Sequence, residues 1–133
     1  MSQESIETVR RGYEAWNRGD LDAVRDIYAP DVTASAGPLW PAGDEVSGAE
    51  AIIAAFASIL DIFEHSELVP ERFIECGESV VVPTLWRGTL HDSESPIEQH
   101  VIAVYTFRGE QVIRIDYFQH LEEALARVGD PER

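Results

Sequence analysis

The spacing of apolar residues changes once along this chain, from a helical repeat to an alternating one, near residue 64. Before that point, apolar side chains recur every three or four residues, as on one face of a helix. After it, they alternate in runs bounded by Gly, Pro and polar residues, as in strands. Helices followed by strands predict an α+β fold, in which one sheet face packs on the helices. The 133 residues contain no linker or repeat, so we expect one domain over residues 1–133.

Punctuating residues set the bounds of the predicted elements. Asp20 can cap the second helix and Pro30 prevents its continuation. Pro83 removes a ladder donor inside a predicted strand, which favours an edge position or a bulge there. The short connections between the strands favour antiparallel pairing. In order, the pattern predicts helices from Ser2 to Gly19 and Asp20 to Pro30, an extended segment from Asp31 to Ala36, a helix from Ala49 to Glu64, strands at Leu68–Cys76, Val80–Leu90, Ile97–Phe107 and Val112–Gln119, and a final helix at Leu121–Val128.

Composition excludes several classes of function. Cys76 is the only cysteine, so neither an internal disulfide nor a cysteine-based zinc site can form. All ten basic residues are Arg, which removes Schiff-base chemistry on a lysine. The net charge of −15 disfavours nucleic acid and anionic membrane surfaces as partners. No apolar run is long enough to span a membrane and no secretory signal is visible, so we expect a cytoplasmic protein.

The sequence also lacks the patterns that hold a cofactor. No set of His, Asp and Glu has the spacing of a metal site. No Gly-rich loop follows a predicted strand to hold a phosphate. We therefore expect neither a metal nor another cofactor.

Five segments along the chain carry a family resemblance: Tyr13–Asp22, Tyr28–Val32, Gly48–Phe56, Tyr105–Gly109 and Glu122–Leu125. In this order, they resemble the SnoaL-like family of the nuclear transport factor 2-like (NTF2-like) superfamily. The resemblance implies a cone-shaped, curved antiparallel sheet wrapped around three N-terminal helices, with an apolar cavity between them and usually a dimer. The superfamily includes isomerases, epoxide hydrolases, polyketide cyclases and binding proteins, so the fold alone assigns no function.

The positions where relatives carry catalytic groups hold other residues here. The resemblance places Ala36 where ketosteroid isomerases have their base, and Gly12 and Ala103 where they have oxyanion donors, with Tyr13 one residue away. It places Ala103 and Tyr117 where polyketide cyclases have a His and an Asp. Steroid-type isomerisation is therefore disfavoured, and the cyclase pair is absent at this alignment. A shift of one residue would turn the opposite side chains to the pocket.

A cavity wall follows from strand parity together with the resemblance. Val101, Ala103, Tyr105 and Phe107 share one face, with Ile113, Ile115, Tyr117 and Gln119 as partners. Aromatic rings with polar tips suit a mostly apolar ligand with a few hydrogen-bonding groups, although every one of these residues could instead be ordinary core. The candidate catalytic residues are Tyr105 and Tyr117, and the candidate binding residues are Tyr13, Trp16, Trp40, Phe56, Thr84, Trp86, Ala103, Ile115 and Gln119.

His100 and Asp116 offer a different interpretation, because a His and a carboxylate on adjacent strands could transfer a proton. Their parity places them with Ile102, Val104 and Phe118 on the outer sheet face. We therefore favour a surface or dimer-interface role for them over catalysis. That face is also where we expect a homodimer, since the three apolar residues would otherwise be exposed.

Three functions remain open from the sequence. The first is a cofactor-independent enzyme of the cyclase, isomerase or hydrolase type, acting on a small apolar or aromatic molecule. The second is a protein that binds such a molecule without chemistry, which the missing catalytic groups favour slightly. The third is a dimerisation module whose cavity is filled by its own side chains.

Overall fold

The computed structural model describes residues 2–35, 45–91 and 95–129. Three helices come before most of the sheet and one follows it, as the sequence predicts. The elements are α1 (Ser2–Asn17), α2 (Leu21–Arg25), β1 (Tyr28–Ala34), β2 (Val46–Ser47), α3 (Ala49–Ile62), β3 (Phe63–Pro70), β4 (Ile74–Cys76), β5 (Ser79–Leu90), β6 (Pro96–Arg108), β7 (Gln111–Phe118) and α4 (Leu121–Val128).

The second helix is shorter than predicted. Asp20 caps it as expected, since its carboxylate accepts a hydrogen bond of 3.1 Å from the backbone N–H of Ala23. The helix ends at Arg25 rather than at Pro30, and Tyr28 begins β1. Pairing with β7 overrides the local helical spacing, because Tyr28 lies opposite Val112 in that strand.

The sheet has the strand order β2-β1-β7-β6-β5-β3, and β4 also pairs with β5. Neighbouring strands of the sheet pair antiparallel, except for β1 and β7, which pair parallel. The predicted α+β cone is confirmed, with the correction that the curved, unclosed sheet is mixed. The parallel pair arises because β1 and β7 are separated by most of the chain, so no hairpin constrains their direction.

The predicted strand Leu68–Cys76 is two strands, β3 and β4, which pair with successive parts of β5. Pro83 lies on β5 at the change from one partner to the other. Its carbonyl accepts from the N–H of Glu71, in the segment between β3 and β4. Pro83 is therefore not at an edge. Opposite it the pairing register shifts by one residue, from Pro70–Thr84 to Ile74–Val81, which is the irregularity of a bulge, and its missing N–H points to this interrupted side of the ladder.

The inner face of the sheet packs on the helices and forms the larger core. Strand parity predicts this face well except near the start of β7. A bulge between the pairs Thr106–Arg114 and Phe107–Val112 shifts the register by one residue. Val112 is consequently fully buried in this core, whereas Ile113, which we had predicted to face inward, lies outside it.

Helix α4 packs on the outer face of the sheet. Ile102 and Val104 are only 7% and 1% exposed, and Phe118 packs against the same cluster as Leu121 and Leu125. The prediction that Ile102, Val104 and Phe118 form an exposed apolar patch is therefore wrong, because the chain's own last helix covers them. Within the described ranges, no helix has the length and apolar character that crossing a membrane requires.

Candidate functional site

A cavity lies between the helices and the inner face of the sheet. Its volume is about 90 Å³. This is well below the roughly 300–1,000 Å³ of pockets that hold drug-sized ligands, so the cavity suits a small molecule. Its lining residues are Val9, Gly12, Tyr13, Trp16, Val24, Ile27, Tyr28, Phe56, Ile59, Leu68, Thr84, Trp86, Val101, Ala103, Tyr105 and Tyr117.

One end of the cavity is walled by large aromatic rings. Trp16 contacts Phe56 and Trp86 edge to face, with ring centroids 5.1 and 6.2 Å apart. The Trp86 Nε1 donates to the Ser66 hydroxyl at 2.9 Å. By contrast, the Trp16 Nε1 is buried without a hydrogen-bond partner among the described residues, a condition that costs about 1–3 kcal/mol. The ring packing around Trp16 must compensate for this cost.

The other wall carries hydroxyl groups, and all four tyrosines of the chain take part. The Tyr13 hydroxyl lies 2.7 Å from the Thr84 hydroxyl, which in turn donates to the Val82 carbonyl at 3.1 Å. The Tyr13 and Tyr105 rings meet edge to face at 6.2 Å. A helix residue and two neighbouring strands thus bring three hydroxyls together.

Burial controls the ionisation of these tyrosines. Loss of solvent raises the pKa of Tyr13 to about 12, and its hydrogen bonds with Thr84 and Tyr105 only partly oppose this rise. Burial also raises the pKa of Tyr28, Tyr105 and Tyr117 above the usual value, and neighbouring phenols add to the effect. All four are therefore neutral near pH 7 and act there as hydrogen-bonding groups rather than as bases.

None of the cavity-lining residues, as far as the chain is described, carries a carboxylate, an imidazole or a full charge. In the same part of the chain, no three His, Cys, Asp or Glu side chains converge as a metal site would require. The arrangement can hold an apolar molecule and form neutral hydrogen bonds with it. A reaction that removes a proton would need an acceptor other than these side chains.

Most of the predicted binding and catalytic residues line this cavity. Ile115 and Gln119 do not: Ile115 is fully buried in the adjoining core, and Gln119 is exposed beyond the end of β7. Trp40 and Ala36 lie outside the described residues. The predicted residues that line the cavity are Tyr13, Trp16, Phe56, Thr84, Trp86, Ala103, Tyr105 and Tyr117.

Tyr28 is the main cavity residue that the sequence analysis missed. We had placed it on the second helix, on the same face as Val24 and Ile27, because its spacing fits a helical repeat. In the structure it is the first residue of β1, and all three line the cavity. The signal that could have found it is the Tyr28-Ala29-Pro30 sequence, because the residue before a proline tends to be extended.

The alternative pair, His100 and Asp116, is not assembled. Asp116 lies opposite Val104, four residues along β6 from His100, which corresponds to about 13 Å. His100 is exposed, with its Nδ1 4.0 Å from a carboxylate oxygen of Glu71. Both residues lie on the outer face, as parity predicts.

Asp116 instead joins an ion-pair cluster under the last helix. It is 4% exposed, and both of its carboxylate oxygens accept from the Arg114 Nε, at 3.0 and 3.1 Å. Arg127 of α4 lies 3.8 Å from it. Arg114 also pairs with Glu45 at 2.7 Å and donates to the Thr33 hydroxyl. The cluster fixes β7 to β1 and to α4, which is a structural role.

Comparisons with solved structures agree with this architecture. An NTF2-like protein of unknown function from Burkholderia pseudomallei is 25% identical, with a TM-score of 0.78 over 94% of this chain and 97% of that one. A putative SnoaL-like polyketide cyclase from Jannaschia is 24% identical, with a TM-score of 0.75 over 98% and 94%. A protein with a ketosteroid isomerase-like fold from Catenulispora acidiphila, in complex with trimethylamine, is 21% identical, with a TM-score of 0.76 over 94% of each chain.

Sequence comparison gives the family. No curated protein matches the chain significantly. The model of the SnoaL-like domain matches residues 9–115, which include every described residue that lines the cavity except Tyr117. The chain therefore belongs to the SnoaL-like family.

Proposed function

We propose that this protein binds a small, uncharged, largely apolar or aromatic molecule in the cavity between its helices and its sheet. The observation that carries the proposal is the lining: all four tyrosines and two tryptophans surround the space, and no described lining residue is charged. Buried aromatic rings supply apolar contact, and their polar tips orient a ligand.

The lining also argues against charged ligands. A carboxylate or ammonium group entering the cavity would lose its hydration, and none of the described lining residues provides a counter-ion. The net charge of −15 further repels anions on approach. Cations are the stronger competitors, since aromatic faces attract them.

Calorimetric titration with three compounds of one ring skeleton tests this charge preference. At pH 7, 2-indanol is neutral, indane-2-carboxylate is an anion and 2-aminoindane is a cation. We expect 2-indanol to bind at least about tenfold more tightly than either ion, corresponding to about 1.4 kcal/mol. Tighter binding of the carboxylate would contradict the proposal, and tighter binding of the amine would replace it with a cation site.

Substitution of Trp86 tests whether the cavity is where the molecule binds. Trp86→Ala should weaken binding of 2-indanol by about 1–3 kcal/mol, because the ring lines the cavity. Phe73→Ala is the matched control, since Phe73 is an aromatic residue that contacts Arg10 away from the cavity. Equal affinities for the Trp86 variant and the wild type, with both folded, would exclude the site.

Catalysis on the bound molecule is the second candidate function, favoured by the hydroxyls of Tyr105 and Tyr117 in the cavity wall. Neutral phenols can polarise a carbonyl or hydroxyl of a substrate, as a cofactor-independent cyclase, isomerase or hydrolase requires. Tyr117→Phe keeps the ring and removes one hydroxyl. Any turnover should then fall, whereas a pure binding protein should lose only the roughly 0.5–1.5 kcal/mol of one hydrogen bond.

We also propose that the protein is a homodimer, through the part of the outer sheet face that α4 leaves open. Leu85 lies opposite His100 there, and Arg87 lies opposite Glu98. The support is the family resemblance and the accessibility of these residues, of which only Leu85 is partly buried. Sedimentation velocity should show a dimer that Leu85→Arg weakens. A monomer at every concentration would contradict this.

A further inference from the structure

Donor counting fixes the direction of the hydrogen bonds on the polar wall. A carbonyl oxygen can only accept, so Thr84 uses its single hydroxyl hydrogen on Val82, 3.1 Å away. The oxygen of Thr84 can therefore only accept in its 2.7 Å contact with Tyr13. Tyr13 must be the donor, and the hydrogens of both hydroxyls point toward the backbone of β5.

Tyr105 extends the same chain in the same direction. Tyr105 is hydrogen-bonded to Tyr13, and because the single hydrogen of Tyr13 is used on Thr84, Tyr105 must be the donor in this bond. The edge contact of the two rings, at 6.2 Å between centroids, brings these side chains together. Three hydroxyls thus pass their hydrogens one way, from Tyr105 to Tyr13 to Thr84 to the carbonyl of Val82.

We propose that Thr84 sets the polarity of the cavity, so that it selects ligands carrying a hydroxyl or another hydrogen donor over ligands carrying only an acceptor, such as ketones. The inference rests on the proposed binding function and specifies its ligand class. A tyrosine-lined pocket would otherwise be expected to donate to a carbonyl oxygen. Here Tyr13 and Tyr105 already donate their hydroxyl hydrogens within the protein. Toward a ligand, these two hydroxyls can therefore act only as hydrogen-bond acceptors.

The remaining cavity hydroxyls do not disturb the comparison of an alcohol with a ketone. Tyr28 and Tyr117 also line the cavity, and a hydrogen from either hydroxyl can be accepted equally well by the oxygen of the alcohol or of the ketone. Any such bond cancels when the two affinities are divided. The ratio of alcohol to ketone affinity therefore reports the direction of the chain that ends at Thr84.

The test uses 2-indanol, 2-indanone and indane, which share one achiral skeleton. Wild type should bind the alcohol about three- to tenfold more tightly than the ketone, the net effect of about one neutral hydrogen bond. Thr84→Val keeps the side-chain shape but removes the acceptor for Tyr13, whose hydrogen can then turn to the ligand. The alcohol-to-ketone ratio should fall to about one or below.

Three variants check that this fall has the stated cause. Thr84→Ser restores the hydroxyl and should restore the ratio. Thr106→Val removes a threonine hydroxyl that contacts Ser79 away from the cavity, and it should leave the ratio unchanged. Tyr13→Phe removes the acceptor for Tyr105 and should lower the ratio as Thr84→Val does, which preserves the test if the Thr84 variant fails to fold.

The outcomes separate the two proposals. If none of the three compounds binds to folded wild type, the binding function itself fails. If they bind but the ketone is preferred, or if Thr84→Val and Tyr13→Phe both leave the ratio unchanged, binding stands and the polarity inference is overturned. A high ratio that falls in both variants and returns with Thr84→Ser supports it.

Discussion

Alkaline pH should lower the free energy of unfolding of this protein, because all four of its tyrosines line the cavity and are buried there. The pKa of Tyr13 is raised to about 12 and those of Tyr28, Tyr105 and Tyr117 are raised above 10. An unfolded chain releases the phenolic protons near pH 10, whereas the folded chain retains them. The stabilisation is complete below pH 10 and is lost as the pH rises from 10 toward the folded values.

The size of the loss follows from linkage. At pH 11 each tyrosine that stays protonated when folded but ionises near pH 10 when unfolded costs about 1.4 kcal/mol. Four such groups cost about 5 to 6 kcal/mol, comparable to the entire stability of many domains. The chain contains no Lys, so no amine side chain titrates in this range and obscures the effect.

Urea unfolding from pH 8 to 11.5 measures this loss, and absorbance at 295 nm reports tyrosinate. We expect tyrosinate to appear only with the loss of the circular dichroism of the fold. Tyr13→Phe should reduce the decline in stability by about a quarter, and Cys76→Ala removes the thiol as a second titrating group. Ionisation of all four tyrosines near pH 10 in a protein that remains folded would refute the burial argument.

Three further substitutions test how the fold supports the site. Asn17→Ala should cost about 1–2 kcal/mol in urea unfolding, because Asn17 bonds both the N–H and the carbonyl of Leu68 on the edge strand, at 2.7 and 2.9 Å; a stability equal to wild type would contradict this. Gly88→Ala should lower the unfolding free energy by about 1–3 kcal/mol, since a Cβ there would lie 2.7 Å from the Phe63 ring; an unchanged midpoint would show that the ring moves freely. Asp116→Ala should destabilise by about 1–3 kcal/mol, because the buried carboxylate that accepts from the partly exposed Arg114 is lost, yet leave ligand affinity intact; loss of binding in the folded variant would return this residue to the site.

The sequence predicts the cavity wall well where strands pair without interruption. On β5 and β6 the register is continuous, so alternation places Thr84, Trp86, Ala103 and Tyr105 on the inner face and His100 on the outer one. A period of two is fixed by the pleat and survives any uncertainty about topology.

Prediction fails where distant parts of the chain decide the local structure. The bulge that moves Val112 inward in place of Ile113 arises between β6 and β7, and no local pattern marks it. Tyr28 fits a helical repeat and becomes a strand only because β1 pairs with β7 across the fold. The packing of α4 on Ile102 could not be predicted either. The amphipathic pattern of a short helix shows that one of its faces is buried, but not which surface covers that face.

The two positions where the resemblance to ketosteroid isomerases would place oxyanion donors, Gly12 and Ala103, help to explain the composition of the polar wall. Gly12 lines the cavity, but a Cβ there would lie 2.9 Å from the Ile27 side chain, so Ile27 fills the space that a side chain at position 12 would need. Ala103 faces the same space with only a methyl group. Because both positions are apolar, the groups that can form hydrogen bonds with a ligand are the tyrosines and Thr84. Burial keeps the tyrosines neutral, and Thr84 orients the hydroxyl of Tyr13. A wall of this kind distinguishes ligands by the direction of a hydrogen bond rather than by charge, and this difference is what the alcohol and ketone titrations measure.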